Sequence, residues 1–303
     1  MLRFMSWLLP IGLLGGLIVL FVSWRAAVNH SAPAPSVVGS PPTDFPYPLE
    51  SIEFRTRDGL TLRGWYGRAE NERGTAVLLH AYRANRTQML ARARWYAEQG
   101  FSVLLYDARA TGESEGDRIS IGYHEVDDLT AALHWARQRG ATRVVCHGIS
   151  QGAATILLAA ERLENVAAVV SESAYDTALN AVDRRFRNRV GLPGWLAGIF
   201  YRPFAELRTG VNARDIRPID QIGKLACPVF ILSGEEDRHT WKEDTLRLYE
   251  AAREPKKLWL VPATAHTDLH RADPETYEEK LKAFINAAVP APEHPVSAGA
   301  ATP

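Results

Sequence analysis

Three residues at wide intervals in the chain could together open an acyl bond. They are the serine of Gly148-x-Ser150-x-Gly152, the acid of Ser233-Gly-Glu-Glu-Asp237 and the histidine of Pro262-Ala-Thr-Ala-His266. A serine hydroxyl is a weak nucleophile until a base takes its proton. The base, in turn, works best when a carboxylate holds its ring and steadies its charge. Chain order serine, acid, histidine is the order in which these groups follow a G-x-S-x-G turn between a strand and a helix. Ser150 is therefore the expected nucleophile, Asp237 the orienting acid and His266 the base. Glu172 and Asp176 are the fallback acids, and His270 competes with His266 from farther along the chain. His134 falls within an amphipathic run and is expected on the surface or in packing.

These groups need elements that converge on one edge. Val144-Val-Cys146 is short and partly β-branched, which predicts a buried strand ahead of the serine. The Ala- and Leu-rich run from Ala153 predicts a helix behind it. Flanking glycines leave room for the sharp turn between them, and the helix N-terminus supplies free N–H groups where an oxyanion would form. Gln151 N–H is the first expected donor. Tyr82, in the loop His80-Ala-Tyr-Arg83 after the apolar run Thr75–Leu79, is the second.

The rest of the chain alternates strand and helix. Ser51–Thr56 and Leu60–Tyr66 flank Asp58-Gly59 and predict an opening hairpin. Further strands are expected at Thr75–Leu79, Phe101–Tyr106, Val166–Val170, Pro228–Leu232 and Lys257–Val261. Helices are expected over residues 86–99, 123–139, 241–252 and 274–288. Repeated β–α units in one domain, residues 50–288, predict a mostly parallel eight-stranded sheet with helices on both faces. The alternation breaks over residues 174–225, which predicts a small helical cap above the strand ends. Its arginines, Arg184, Arg185, Arg187 and Arg189, either form a solvated face or turn a basic side to anionic headgroups.

The N-terminus is of a different kind. Met5 to Trp24 has no charged residue and is flanked by Arg3 and Arg25. About 20 helical residues at 1.5 Å each cross a bilayer core of roughly 30 Å. Residues 1–25 are thus expected as a single-pass membrane anchor, with a cleaved signal peptide as the competing reading. The Pro-rich stretch 26–49 is expected as an extended linker holding the catalytic domain on the extracytoplasmic side, and residues 289–303 as a disordered tail.

Composition narrows the rest. The 303 residues carry no formal net charge, which gives no footing for a nucleic-acid partner. Neither C-x-x-C nor H-E-x-x-H occurs, so no metal or other cofactor is expected. Cys146 and Cys227 sit in or beside predicted strands with a third strand between them. They are expected as small buried hydrophobes and not as a disulfide. Nothing in the chain indicates an oligomeric state.

Taken in order, the motifs resemble those of the serine-nucleophile α/β-hydrolases, near the Bem46-like and serine aminopeptidase-like bacterial enzymes, over about residues 50–288. His80-Ala-Tyr-Arg-Ala-Asn-Arg86 resembles the family's H-G-x-x-x-x-R loop, and Asp107-Ala-Arg-Ala-Thr-Gly112-Glu-Ser114-Glu-Gly116 resembles D-x-R-x-x-G-x-S-x-G. The elbow, Gly234-Glu-Glu-Asp237 and His266 complete the set. The resemblance implies cleavage of an ester or related acyl bond in a small-molecule or lipid-like substrate. A serine peptidase or amidase, or a non-catalytic binding protein on the same fold, are the alternatives. Two positions depart from the family. Ala81 stands where the loop usually has glycine, which would strain a backbone with positive φ. His239-Thr240-Trp241 stands where a proline usually follows the acid.

Overall fold

The computed structural model describes residues 2–191 and 193–291. Most of the expected tail therefore lies outside the described residues. The domain opens with the hairpin β1 (Leu49–Arg55) and β2 (Thr61–Gly67), followed by β3 (Gly74–Leu79) and β4 (Phe101–Tyr106). β5 (Val144–Ile149), β6 (Val166–Glu172), β7 (Val229–Gly234) and β8 (Lys256–Val261) complete a single eight-stranded sheet in the order β8-β7-β6-β5-β3-β4-β2-β1. Only β2 runs against the others, pairing antiparallel with β1 on one side and β4 on the other.

The continuous apolar runs are buried on both faces, as parallel strands with crossover helices require. On one face Val77, Leu104, Cys146, Val169 and Ile231 pack under α3 (Glu125–Gln138), α4 (Gln151–Leu158) and α9 (Lys242–Ala251). The alternate residues Leu78, Leu105, Val145, Val170 and Phe230 pack under α2 (Leu90–Glu98) and α10 (Pro274–Ala288). Cys146 and Cys227 are free thiols that pack in the first of these layers, and β6 separates their strands.

Register brings the strand ends together. Leu79 lies opposite Gly148, Ile149 opposite Glu172, Glu172 opposite Leu232 and Gly234 opposite Val261. The loops that follow β3, β5, β6, β7 and β8 all leave from this edge. Between β6 and β7 the chain forms α5 (Ala178–Val190), α6 (Trp195–Phe200), α7 (Arg202–Thr209) and α8 (Pro218–Gln221). The insertion is helical as expected, but α8 packs back against α4 and α9, so the cap proper is α5 to α7.

The N-terminal segment differs most from expectation. α1 runs from Leu2 to Ser31, well past residue 25. From Leu13 to Trp24 its apolar side chains are almost all exposed, whereas Ala27 and Ser31 are buried against the cap helices. Residues 32–48 do not hang free as a linker. Ala34 and Ser36 donate N–H bonds to Ala110 O and Gly112 O at 2.7 and 2.9 Å. Phe45 and Tyr47 pack on the core, and the Tyr47 hydroxyl bonds Phe101 O. The stretch has too little apolar content to fold alone, so it completes its packing and pairing against the domain edge.

Candidate active site

Ser150 begins α4 with φ 52° and ψ −110°, a conformation an L residue holds only when its surroundings enforce it. The neighbours supply the enforcement. A Cβ on Gly148 would lie 2.5 Å from Ala153 N, and one on Gly152 would lie 2.5 Å from Leu79 O and 2.7 Å from His80 O. Glycine at both positions lets α4 start hard against the ends of β5 and β3. Ser150 N–H donates to Glu172 O at 2.7 Å, tying the turn to the next strand. The serine lies on the wall of a cavity of about 310 Å³ that Tyr82, Arg185, His239 and His266 also line.

Asp237 and His266 meet directly. His266 Nδ1 donates to Asp237 Oδ2 at 2.6 Å. Oδ1 of the same carboxylate accepts the N–H groups of His239 and Thr240 at 2.7 and 2.8 Å. The carboxylate is fully buried and the imidazole keeps 24% of its surface exposed. With the proton fixed on Nδ1, Nε2 is the nitrogen left to act as a base. Among the described residues no hydrogen bond joins Ser150 Oγ to His266, although both line the cavity. Contacts of this kind commonly tighten only when substrate is present.

The two expected oxyanion donors come from elements held in different ways. Gln151 N–H is the first of α4 and has no acceptor within the helix. Tyr82 belongs to a loop fastened at several points. Ala81 N–H donates to Gln88 Oε1 at 2.8 Å, and His80 Nδ1 donates to Ala81 O at 2.7 Å. His80 Nε2 then accepts from Ala108 N–H at 3.0 Å. Burial lowers the pKa of His80, in keeping with a neutral ring that accepts at one nitrogen. Ala81 is not at positive φ, so alanine adds no backbone strain there. The left-handed residue of the loop is Arg83, at φ 58°. Its guanidinium donates to Asn29 O and Ala32 O, both at 3.0 Å, and the Tyr82 hydroxyl donates to His30 O at 2.5 Å. The end of α1 thus holds the outer side of this loop.

The D-x-R motif is structural. Asp107 accepts Arg86 N–H at 2.7 Å and ion-pairs the Arg86 side chain at 2.5 Å, pinning the start of the segment after the His80–Arg83 loop. Gly112, at φ 53°, is required because a Cβ there would fall 2.2 Å from the Asp107 carboxylate.

The fallback residues lie elsewhere. Glu172 is buried beneath the site, where Arg92 Nε and Nη2 grip its two oxygens at 2.7 and 2.6 Å. His147 Nε2 donates to it at 2.6 Å, and the Tyr277 hydroxyl is also bonded to it. Burial opposes its charge, but the Arg92 guanidinium holds the carboxyl well below the usual range. Asp176 bonds Asn180 and Arg247. His270 contacts Glu278 at 2.8 Å, and His134 bonds Gln138 on an exposed face.

Three contributors were not legible beforehand. His239 stacks edge-on to His266, with ring centroids 5.2 Å apart. Its pKa is lowered by burial first, then by electrostatic interaction with the neighbouring His266 and Arg185. Its only sequence signal was that it stands where the family has another residue. Arg185 faces the cavity, while its neighbour Arg184 turns away to Asp244 and lies over Trp241 at 4.5 Å. Arg187 pairs with Asp183 at 2.6 Å. The arginine run is therefore divided among separate tasks and does not form one basic face. The third contributor is the end of α1.

Residues 63–197 match the family model of the X-Pro dipeptidyl-peptidase (S15 family). The chain is 26% identical to the uncharacterized protein YqkD of Bacillus subtilis, covering 75% of this chain and 76% of that one. It is 27% identical to the uncharacterized protein YfhR of Escherichia coli K12, covering 80% and 83%. Among solved structures it superposes on the Pyrococcus furiosus esterase Pf2001 with a TM-score of 0.73 and 24% identity, covering 85% of this chain and 98% of that one.

Proposed function

The chain has the α/β-hydrolase fold, and on that fold we propose a serine hydrolase that cleaves a carboxylic ester or related acyl bond through an acyl-enzyme. The observation that carries the reading is the Asp237–His266 contact of 2.6 Å beside a cavity whose wall also holds Ser150 in its constrained turn. Ser150 Oγ adds to the carbonyl carbon while His266 Nε2 takes its proton. The charge formed on the carbonyl oxygen is met by the N–H groups of Gln151 and Tyr82. Collapse breaks the bond to the leaving oxygen, which receives the proton from His266. Water then adds to the acyl-enzyme, giving its proton to His266, and Ser150 leaves with that proton as the acid departs. Asp237 keeps the ring oriented and stabilises its charged form throughout.

α1 is the anchor in this reading. Its stretch Leu13–Ser31 is long and apolar enough to cross a membrane, and among the described residues its leucines and valines from Leu13 to Val22 are exposed. The domain then sits on the extracytoplasmic side, acting on small-molecule or lipid-like acyl substrates. A second reading, peptidase or amidase, draws on the match to the dipeptidyl-peptidase model and uses the same residues.

Hydrolysis of p-nitrophenyl esters from acetate to laurate by the full-length protein, beside Ser150→Ala and a fluorophosphonate label, tests the proposal. Turnover and labelling are expected in the parent and absent in the variant. Turnover that survives Ser150→Ala would sink the assignment. Labelling without ester turnover would move the reading to the amide bond.

A further inference from the structure

A second and larger cavity, of about 450 Å³, lies between the end of α1 and the cap helices. Ala27, His30 and Ser31 of α1 form one wall, and Leu179, Ile199 and Val211 belong to the opposite side. Its acidic lining residues are already matched. Asp183 pairs with Arg187, and Glu206 pairs with Arg202 while also accepting Ala213 N–H at 3.0 Å. Among the described residues of this lining, one buried charged donor makes no hydrogen bond, Arg202 Nε, which lies 3.7 Å from Glu206 Oε1. Trp195 and Ile199 line the cavity and are still more than half exposed.

We infer that this cavity holds the hydrocarbon chain of a long-chain acyl substrate, which it receives beside the apolar helix that forms its wall. An apolar cavity of roughly 150 Å³ accommodates benzene, so three times that volume suits a chain on the order of a dozen or more carbons. The entrance is placed for such a ligand. Ala27 is only one turn past Trp24, where the exposed apolar stretch of α1 ends. The cavity also adjoins the candidate active site through a thin partition. His30 and Tyr201 line the larger cavity and bond each other at 3.1 Å, and Tyr82 lines the smaller one and bonds His30 O. Movement of the Tyr201 side chain would open a path between them. The inference rests on the acyl-hydrolase reading for what becomes of the chain, but not for its binding.

Gly198 offers a clean perturbation. It lines the cavity within α6, and a Cβ built on it meets nothing within 4 Å. Gly198→Leu and Gly198→Phe fill the cavity from a position where neither strains the backbone. Full-length protein is compared for kcat/KM on p-nitrophenyl laurate and acetate. The laurate-to-acetate ratio is expected to fall at least ~10-fold, because several methylenes lose their burial. In parallel, Ser150→Ala protein in phosphatidylcholine nanodiscs is crosslinked to palmitic acid bearing a terminal diazirine. Labels are expected on residues of α5 to α7 and are expected to disappear in the double variant with Gly198→Phe. An unchanged ratio in folded variants, or labels confined to the Leu13–Trp24 face of α1, would overturn the inference. Cavity labels with no ester turnover at any length would keep the cavity and refute the ester reading instead.

Discussion

Gly152→Ala tests whether the start of α4 and the loop after β3 jointly build the oxyanion site. The added Cβ would lie 2.5 Å from Leu79 O, 2.7 Å from His80 O and 2.8 Å from Leu79 C. All three atoms are backbone at the end of a central strand, so no side chain can swing aside. Restoring an ordinary contact of about 3.4 Å requires α4 and that loop to part by roughly 0.9 Å. Gln151 is the adjacent residue, and Tyr82 is two residues beyond His80, so the separation falls between the two proposed donors. A misplacement of about 1 Å costs on the order of 10²-fold in rate, close to the loss of one donor outright. The expected result is kcat for p-nitrophenyl acetate down ~10²-fold, with a stability loss of only about 1–3 kcal/mol from overpacking. The measurement is kcat alongside the thermal midpoint at the same pH. A folded Gly152→Ala protein with kcat within about threefold of the parent would refute the argument that these two backbones form one site.

Two further predictions follow from other parts of the structure. Glu172→Gln leaves the buried Arg92 with Asp268, at 2.9 Å, as its remaining carboxylate, so stability should fall by about 3 kcal/mol and Tm by roughly 5–10 °C at neutral pH. The folded pKa of Glu172 is depressed, so its contribution is full above the free carboxyl value of about 4.3 and is lost as pH falls below it. The gap in Tm between parent and variant should therefore narrow from pH 7 to pH 3, and a gap that stays constant or widens would contradict the ion pair. Removing residues 1–49 should impair turnover of acetate more than removing residues 1–24, since only the longer deletion strips Asn29, His30 and Ala32 from the Tyr82–Arg83 loop proposed to supply an oxyanion donor. With Arg83 and Tyr82 losing three hydrogen bonds, a decrease of about 10-fold or more is expected, and equal kcat values in the two truncations would show that the loop stands unaided.

The central architecture was legible because its signals are local. Short apolar runs closed by Gly or Asp marked strands, and the residue after each strand end pointed to the common edge. That is why Asp237 and His266, 29 positions apart, could be paired before any geometry was known. Glu172 shows the limit of this rule. It also ends a strand, but whether a carboxylate faces the cavity or is clamped beneath it depends on Arg92, which comes from an element 80 residues away. The Pro-rich stretch failed for a related reason. Composition reports whether a segment can build its own core, and says nothing of a segment that borrows an edge from a neighbouring domain. Arg184 and Arg185 are alike in sequence and divergent in space, because consecutive helical residues point about 100° apart and only the fold decides which direction is inward.

The continuity of α1 makes it a post and not a tether. Thirty residues of unbroken helix measure about 45 Å. In the proposed anchored form roughly 30 Å of that would lie in a bilayer, leaving about 15 Å to reach the loop that Tyr82 and Arg83 fasten to its end. A flexible stalk would let the domain sample a wide hemisphere of solution. In the proposed membrane-anchored hydrolase, a post clamped at the Tyr82–Arg83 loop would hold the mouth of the site at one height and one tilt, so that it would patrol a plane. Encounter then becomes a two-dimensional search, in which the molecules met most often are those that share the surface with it.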